Sequence, residues 1–227
     1  MKKIYNDVIS TGMTGLDALL EGGFRKGNLN VIAAGPGMGK TTFATQFAAY
    51  IAKSGKRVCF FSLEMPNYQV KERLAKQGNA DVPIIVDDAS AITPKYIRKK
   101  LVTEEADVAI IDYIGLISPN KKRKISRIKE VSEIVFELKE IAKELDIPII
   151  FLAFLSLNNG KKPKLNDLPL EIEKDASVVL FLHRGAHCCG VNSSDTEIII
   201  GKNQYGYSGT IEATFDLERQ VFLEKEL

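Results

Sequence analysis

LNVIAAGPGMGKTTFATQFAAY, residues Leu29 to Tyr50, reads as strand, loop and helix in immediate succession. An apolar run from Leu29 to Ala34 stops at Gly35, Pro36, Gly37, Met38 and Gly39, and Lys40, Thr41 and Thr42 then open an alanine-rich helix. Such a loop turns backbone N–H groups inward at a helix N-terminus, where the macrodipole favours an anion, so a polyphosphate fits there. Glycine is required because the backbone approaches the phosphates closely and takes up positive φ. Residues 35–42 are therefore the expected cradle for ATP, with Lys40 reaching the outer phosphates and the Thr41 hydroxyl holding Mg²⁺. Ala34 stands at the first glycine position of the phosphate-loop pattern, one methyl group from the strict form, while strand, helix and GKTT are all in place.

The surrounding chain has the composition of a globular α/β protein. It has 227 residues, 45% hydrophobic and 26% charged, enough to bury a full core. A net charge of +2 says nothing by itself about nucleic acid or membrane, so any basic footprint must be local. Three cysteines, two of them adjacent, form no disulfide framework and point to a reducing, cytoplasmic setting. No apolar stretch reaches the ~20 residues of a membrane span.

Residues 1–28 form a lead-in with a short helix over Gly15–Leu20, capped by Thr14 and ended by Gly22 and Gly23. Beyond the loop helix (about Lys40 to Lys53), Arg57–Leu63 reads as a buried strand ending at Glu64. A carboxylate there faces the edge where open α/β sheets bind ligands, which makes Glu64 a candidate base. A helix from Pro66 to about Gln77, an apolar run at Pro83–Val86 and a helix capped by Thr93 with Pro94 in its first turn follow. DVAIIDYIGLI (Asp107–Ile117) reads as a strand carrying Asp112 to the sheet edge as a Mg²⁺ and water ligand. Ile128, Val131, Ile134, Val135, Leu138, Ile141, Ala142 and Leu145 give the next helix one core face. Pro148 introduces a further buried strand, IPIIFLAFLSL, and Ser177–His183, Thr196–Lys202 and Thr210–Asp216 are strand-like. Strands alternating with helices, then strands alone, predict a mostly parallel twisted sheet flanked by helices with an antiparallel C-terminal extension.

At this point STGMTGLDALLEGGF, the loop itself, FFSLEMP, AIIDYIGLI, EVSEIVFELKEIAKELDIPII, IEKDAS and EIIIGKNQYGYSGTIEATFD are in hand, and together they resemble the RecA-like motor domain of DnaB-type replicative helicases. The resemblance runs from about Ser10 to Phe222 and implies one P-loop ATPase domain, with a motor core at 29–223 and no DnaB-type N-terminal domain. It implies ATP and Mg²⁺ as cofactors, single-stranded DNA as partner, and a homo-oligomeric, usually hexameric ring. It makes Glu64 the base that orients the attacking water, Asp112 the Mg²⁺-side acid, Arg73 a contact near the nucleotide, and Lys202 a lysine reaching the neighbour's γ-phosphate. The basic stretches Lys121, Lys122, Arg123, Lys124 and Arg127, and Lys161, Lys162 and Lys164, fall where the family lines its channel. Independently, both basic loops leave the same side of the sheet, and Lys/Arg against phosphate binds DNA without sequence preference.

Two positions depart from the family pattern. Gln204 occupies the place of the arginine finger, and Ser156 that of the sensor glutamine. The reading is an ATP-hydrolysing helicase-family protein whose turnover is reduced. Its alternatives are a catalytically weak paralogue serving as accessory ATP-binding subunit in a mixed assembly with a helicase, or a stand-alone RecA/KaiC-type ATPase. His183, His187, Cys188 and Cys189 offer four metal donors, but adjacent cysteines suit one tetrahedral zinc poorly. Cys59 reads as a small buried hydrophobe, and Tyr205 and Tyr207 as an exposed hairpin pair.

Overall fold

A computed structural model describes residues 8–120, 125–155, 161–185 and 194–225. The lead-in forms a two-stranded ladder, β1 (Val8–Ile9) with β2 (Phe24–Arg25), around helix α1 (Thr14–Leu19). Next come β3 (Leu29–Ala34), α2 (Lys40–Lys53), β4 (Val58–Ser62), α3 (Asn67–Lys76), β5 (Ile84–Asp87), α4 (Pro94–Thr103) and β6 (Val108–Asp112). Helix α5 (Arg127–Leu145), β7 (Ile149–Phe154), α6 (Leu170–Asp175), β8 (Val178–His183), β9 (Asp195–Asn203), β10 (Gly209–Asp216) and β11 (Val221–Glu224) complete the order.

Among the described residues, nine strands form one sheet in the order β11-β10-β9-β8-β3-β7-β6-β4-β5. Strands β3 to β8 run parallel, and β9, β10 and β11 join antiparallel to one another and to β8. Side chains alternate between the two faces of the parallel strands as their pleat requires. Ile32, Phe60, Ile110 and Leu152 face Leu16 of α1, Phe43 and Phe47 of α2 and Val70 of α3. Val31, Phe61, Ile111 and Phe151 face Ile97 of α4, Ile134 and Leu138 of α5 and Ile172 of α6. With helices on both faces, the strand ends are left for chemistry. Chain order reverses across β3, whose neighbours are β7 and β8, so a crevice opens beyond its C-terminal end. Among the described residues no helix is long and apolar enough to cross a membrane.

Local expectations are met in part. Helix α2 spans the residues that the alanine-rich segment suggests, and Thr93 caps α4 by accepting from Tyr96 N–H at 3.3 Å. Thr14, expected as a cap, is instead the first residue of α1. The cap arrives from the other end of the sheet, where the Glu224 carboxylate accepts from Gly15 N–H at 2.9 Å and Leu16 N–H at 3.0 Å. A tertiary carboxylate can satisfy those orphan donors as well as a local hydroxyl. The strand expected over Asp107–Ile117 stops at Asp112, and Ile114–Leu116 forms a 3-10 turn. Strand β11 was not expected: only its pairing with β10 marks four residues as a strand.

Phe151 is fully buried on β7, between β3 and β6. Phe151→Ala is expected to lower unfolding free energy by about 3–5 kcal/mol, read as a drop in urea midpoint at unchanged slope.

Candidate functional site

The loop after β3 brings its glycines to the conformations that the sequence requires. Gly37 and Gly39 have φ of 72° and 93°, and Gly39 sits at the N-cap of α2. A Cβ on Gly39 would also come within 2.9 Å of the Phe222 ring, so glycine is needed there for space as well as for φ. Beyond the loop opens a cavity of about 460 Å³. Pro36, Gly37, Gly39, Lys40, Thr41, Thr42, Glu64 and Arg73, all singled out in the sequence, line it. Gly35 and Met38 belong to the same loop without lining the cavity; Met38 turns into the core.

Lys40 is buried, and its Nζ donates to the carbonyls of Ala34 and Gly35, each at 3.0 Å. The ammonium also lies 3.8 Å from the centroid of the Phe154 ring, at the end of β7. Burial brings its pKa down to about 8, while Asp112 and Glu64 pull the other way. Asp112 closes β6 and accepts a hydrogen bond from Thr41 Oγ1 at 2.6 Å. Burial pushes its carboxyl up to about 6, Thr41 and Lys40 opposing. The Asp112–Tyr113 peptide is cis. Glu64 lies two residues past the end of β4 and is exposed on the cavity wall. Thr41 and Asp112 thus present a hydroxyl and a carboxylate oxygen side by side, a hard-donor set suited to Mg²⁺. Arg73 of α3 donates to Thr42 Oγ1 at 2.9 Å.

Six further residues line the wall: Met65 and Phe215, which fall within quoted motifs, and Phe154, Arg184, Leu217 and Gln220, which carry no local motif. Arg184 follows β8 and is 4% exposed; its guanidinium stacks 4.7 Å from the centroid of Phe215 on β10. The signal that could have found it is an arginine at the end of a buried strand, on the edge that carries the phosphate loop.

Lys202 is not at this cavity. It lies on β9 opposite Val179, near the start of β8, towards the other end of the sheet, and its Nζ donates to the Glu173 carbonyl at 2.6 Å. Burial lowers its pKa. Gln204 is exposed in the turn after β9, and Tyr207 in the same turn is 80% exposed. Tyr205, expected to be exposed, is half-buried and donates to Asn28 Oδ1 at 2.7 Å beneath Arg25, because the lead-in folds over it.

Strands β6 and β7 are neighbours, so the two basic loops do leave adjacent strands. Lys121, Lys122, Arg123, Lys124 and Ser156 lie outside the described residues. Arg127 is committed to structure: its guanidinium donates to the carbonyls of Gly115 and Ile117 and pairs with Glu130. Lys161, Lys162 and Lys164 are all exposed, and Lys162 pairs with Glu197 at 2.5 Å. His187, Cys188 and Cys189 lie outside the described residues. His183 is buried at the end of β8, and among the described residues no three His, Cys, Asp or Glu gather as a metal group. Cys59 is buried and its thiol is pushed up to about 12, so it is unreactive at neutral pH.

The family described as DnaB-like helicase C terminal domain matches residues 8–82 and 75–224. A probable replicative DNA helicase of Trieres chinensis is 33% identical over 95% of this chain. The replicative DNA helicase DnaB of Geobacillus stearothermophilus is 33% identical over 96% of it. The chain spans 57% of the length of each of these relatives. A solved structure described as an ATPase domain superposes with a TM-score of 0.88 at 28% identity, covering 98% of this chain and 94% of that one. A solved DnaB-like replicative helicase, described with its interactions with primase, gives 0.87 at 28% identity, covering 96% of this chain and 62% of that one.

The Asp112 carboxyl offers a test of the site's electrostatics. Its folded pKa of about 6 lies above the ordinary 3.8, so the folded state holds the proton more tightly and stability falls as pH rises through that window. In EDTA, Asp112→Asn is expected to exceed wild type in unfolding free energy by about 1–3 kcal/mol above about pH 6, read from urea melts, with the difference closing below 3.8.

Proposed function

Because the chain belongs to the family of DnaB-like helicase C-terminal domains, we propose that it binds and hydrolyses ATP with Mg²⁺ and moves on single-stranded DNA as one subunit of a cytoplasmic ring. The observation that carries this reading is the convergence of Lys40, Thr41 and Glu64 on one cavity behind a glycine loop, with the buried Asp112 carboxylate bonded to Thr41 just behind the wall. The triphosphate lies along the loop N–H groups at the head of α2. Lys40 leaves its two carbonyls for the outer phosphates, where an anion replaces weak carbonyl and ring contacts. Thr41 and Asp112 are the residues that would hold Mg²⁺, whose chemistry would be to neutralise charge developing on the phosphates. Glu64, on the open side of the cavity, orients the attacking water and takes its proton. The base rests against Arg184 and Phe215, a guanidinium plane and an aromatic face already stacked on one another.

Lys202 serves a neighbouring subunit's nucleotide. Its place at the other end of the sheet is unsuited to its own cavity and suited to an edge shared between copies. Gln204 nearby is neutral, so the transition state receives one cation in trans where the family pattern has two, and turnover is reduced. Lys161 and Lys164 contact the DNA backbone together with residues 121–124, while Arg127 holds the base of its loop.

Steady-state hydrolysis measured over a range of protein concentrations, with and without single-stranded DNA, tests this. Turnover is expected to rise with DNA and cooperatively with concentration, and Glu64→Gln is expected to lower it by about 10²-fold or more. Turnover no higher than in that variant would overturn the motor reading and leave the accessory one. Gln204→Arg is expected to raise kcat by about 10-fold or more with little change in nucleotide affinity, and Lys202→Ala to lower kcat in the same selective way.

A further inference from the structure

The β10–β11 hairpin ends in a turn, residues 217–220, whose Leu217 and Gln220 form part of the cavity wall. β11 is an outer strand of the sheet, so its free backbone edge needs partners from elsewhere. Two carboxamide side chains supply them. Gln46 of α2 closes a reciprocal pair on Phe222: the Phe222 N–H donates to Oε1 at 2.8 Å, and Nε2 donates to the Phe222 carbonyl at 2.9 Å. One strand offers its neighbour the same pattern. Gln77, just past the end of α3 and 6% exposed, reaches the same hairpin at its turn. Its Nε2 contacts the Gln220 carbonyl at 2.9 Å, the Thr42 carbonyl at 3.0 Å and Thr45 Oγ1 at 3.1 Å.

These bonds tie the turn to the first residues of the phosphate-loop helix. The Phe222 ring meets the loop itself at Gly39 and packs edge to face against Phe43 with centroids 5.1 Å apart. A residue serving only to fill the core would be apolar. Gln77 instead buries an amide whose Oε1 has no partner among the described residues, a penalty that methionine or leucine would avoid. What the amide secures is the distance between a main-chain carbonyl of the turn and one of the phosphate-loop helix.

We propose that Gln77 and Gln46 are positioning residues that hold the β10–β11 turn as a wall at the base end of the cavity. The site thereby favours a nucleoside triphosphate over bare polyphosphate. Leu217, Phe215 and Arg184 form the surface on which the base rests, and the two glutamines set its distance from Thr42. The inference rests on the nucleotide reading above and adds to it the residues that make the base count.

The test is equilibrium binding of ATP and of inorganic tripolyphosphate, each with Mg²⁺, to wild type, Gln77→Met and Gln46→Met, with circular dichroism melts as the check on folding. Each folded variant is expected to bind ATP about 10-fold more weakly and tripolyphosphate within about two-fold of wild type. Equal weakening of both ligands would reduce the glutamines to general supports of the loop and overturn the proposal, as would unchanged ATP affinity. Wild type that binds tripolyphosphate as tightly as ATP would also overturn it while leaving the phosphate site standing. Wild type that binds neither would remove the nucleotide reading itself. The two substitutions lie on different segments, so loss of folding in one leaves the other to decide.

Discussion

An ammonium group and a carboxyl group are buried in one cleft at the C-terminal edge of the sheet, and the surrounding architecture keeps them there. Lys40 and Asp112 both have pKa values displaced toward the neutral form by desolvation, each partly restored by the other. Burying such groups is unfavourable unless hydrogen bonds and an opposite charge stand close by. The two loop carbonyls and the Thr41 hydroxyl supply those bonds. The arrangement is poised for a ligand that brings phosphate to the lysine and a cation to the carboxylate.

Holding these groups in register falls to the central strands. β3 delivers the loop, β6 delivers Asp112, and β7 lies between them, closing with Phe154 beneath the lysine. All three are buried on both faces, so sliding one strand by a residue would turn its core side chains to the opposite layer. The antiparallel extension does different work. It carries Phe215 and the turn after it across to the loop, and Glu224 back to the head of α1, so the last described strand closes both the cavity and the lead-in.

Charged residues divide by geometry rather than by type. Arg127 and Lys161 read alike in the sequence, as members of basic runs; one is bonded to the carbonyls around a 3-10 turn, and the other stands in solvent. Lys202 likewise has a carbonyl partner within its own chain. An exposed lysine can meet a phosphate at the cost of side-chain entropy alone, whereas one already bonded must exchange partners.

The phosphate loop, Glu64, Asp112, the order of parallel strands and helices and the antiparallel extension were legible in the sequence, because each rests on local chemistry. Glycine spacing, an acid ending an apolar run, and periods of two or three to four are written into consecutive residues. Arg184, Gln77 and Gln46 were not legible, since no local pattern distinguishes them from ordinary strand-end or helix residues. Their meaning comes from segments far apart in the chain meeting at one wall, 143 residues apart for Gln77 and Gln220 and 176 for Gln46 and Phe222. Helix α1 makes the same point: Thr14 is a reasonable cap by sequence, but the orphan N–H groups went to Glu224, which only the assembled sheet brings near. The sequence by itself determined which chemistry the loop supports, through residues that must be adjacent to act. Tertiary structure alone decided what surrounds that chemistry, because hydrogen bonding and desolvation depend on distance in space and not along the chain.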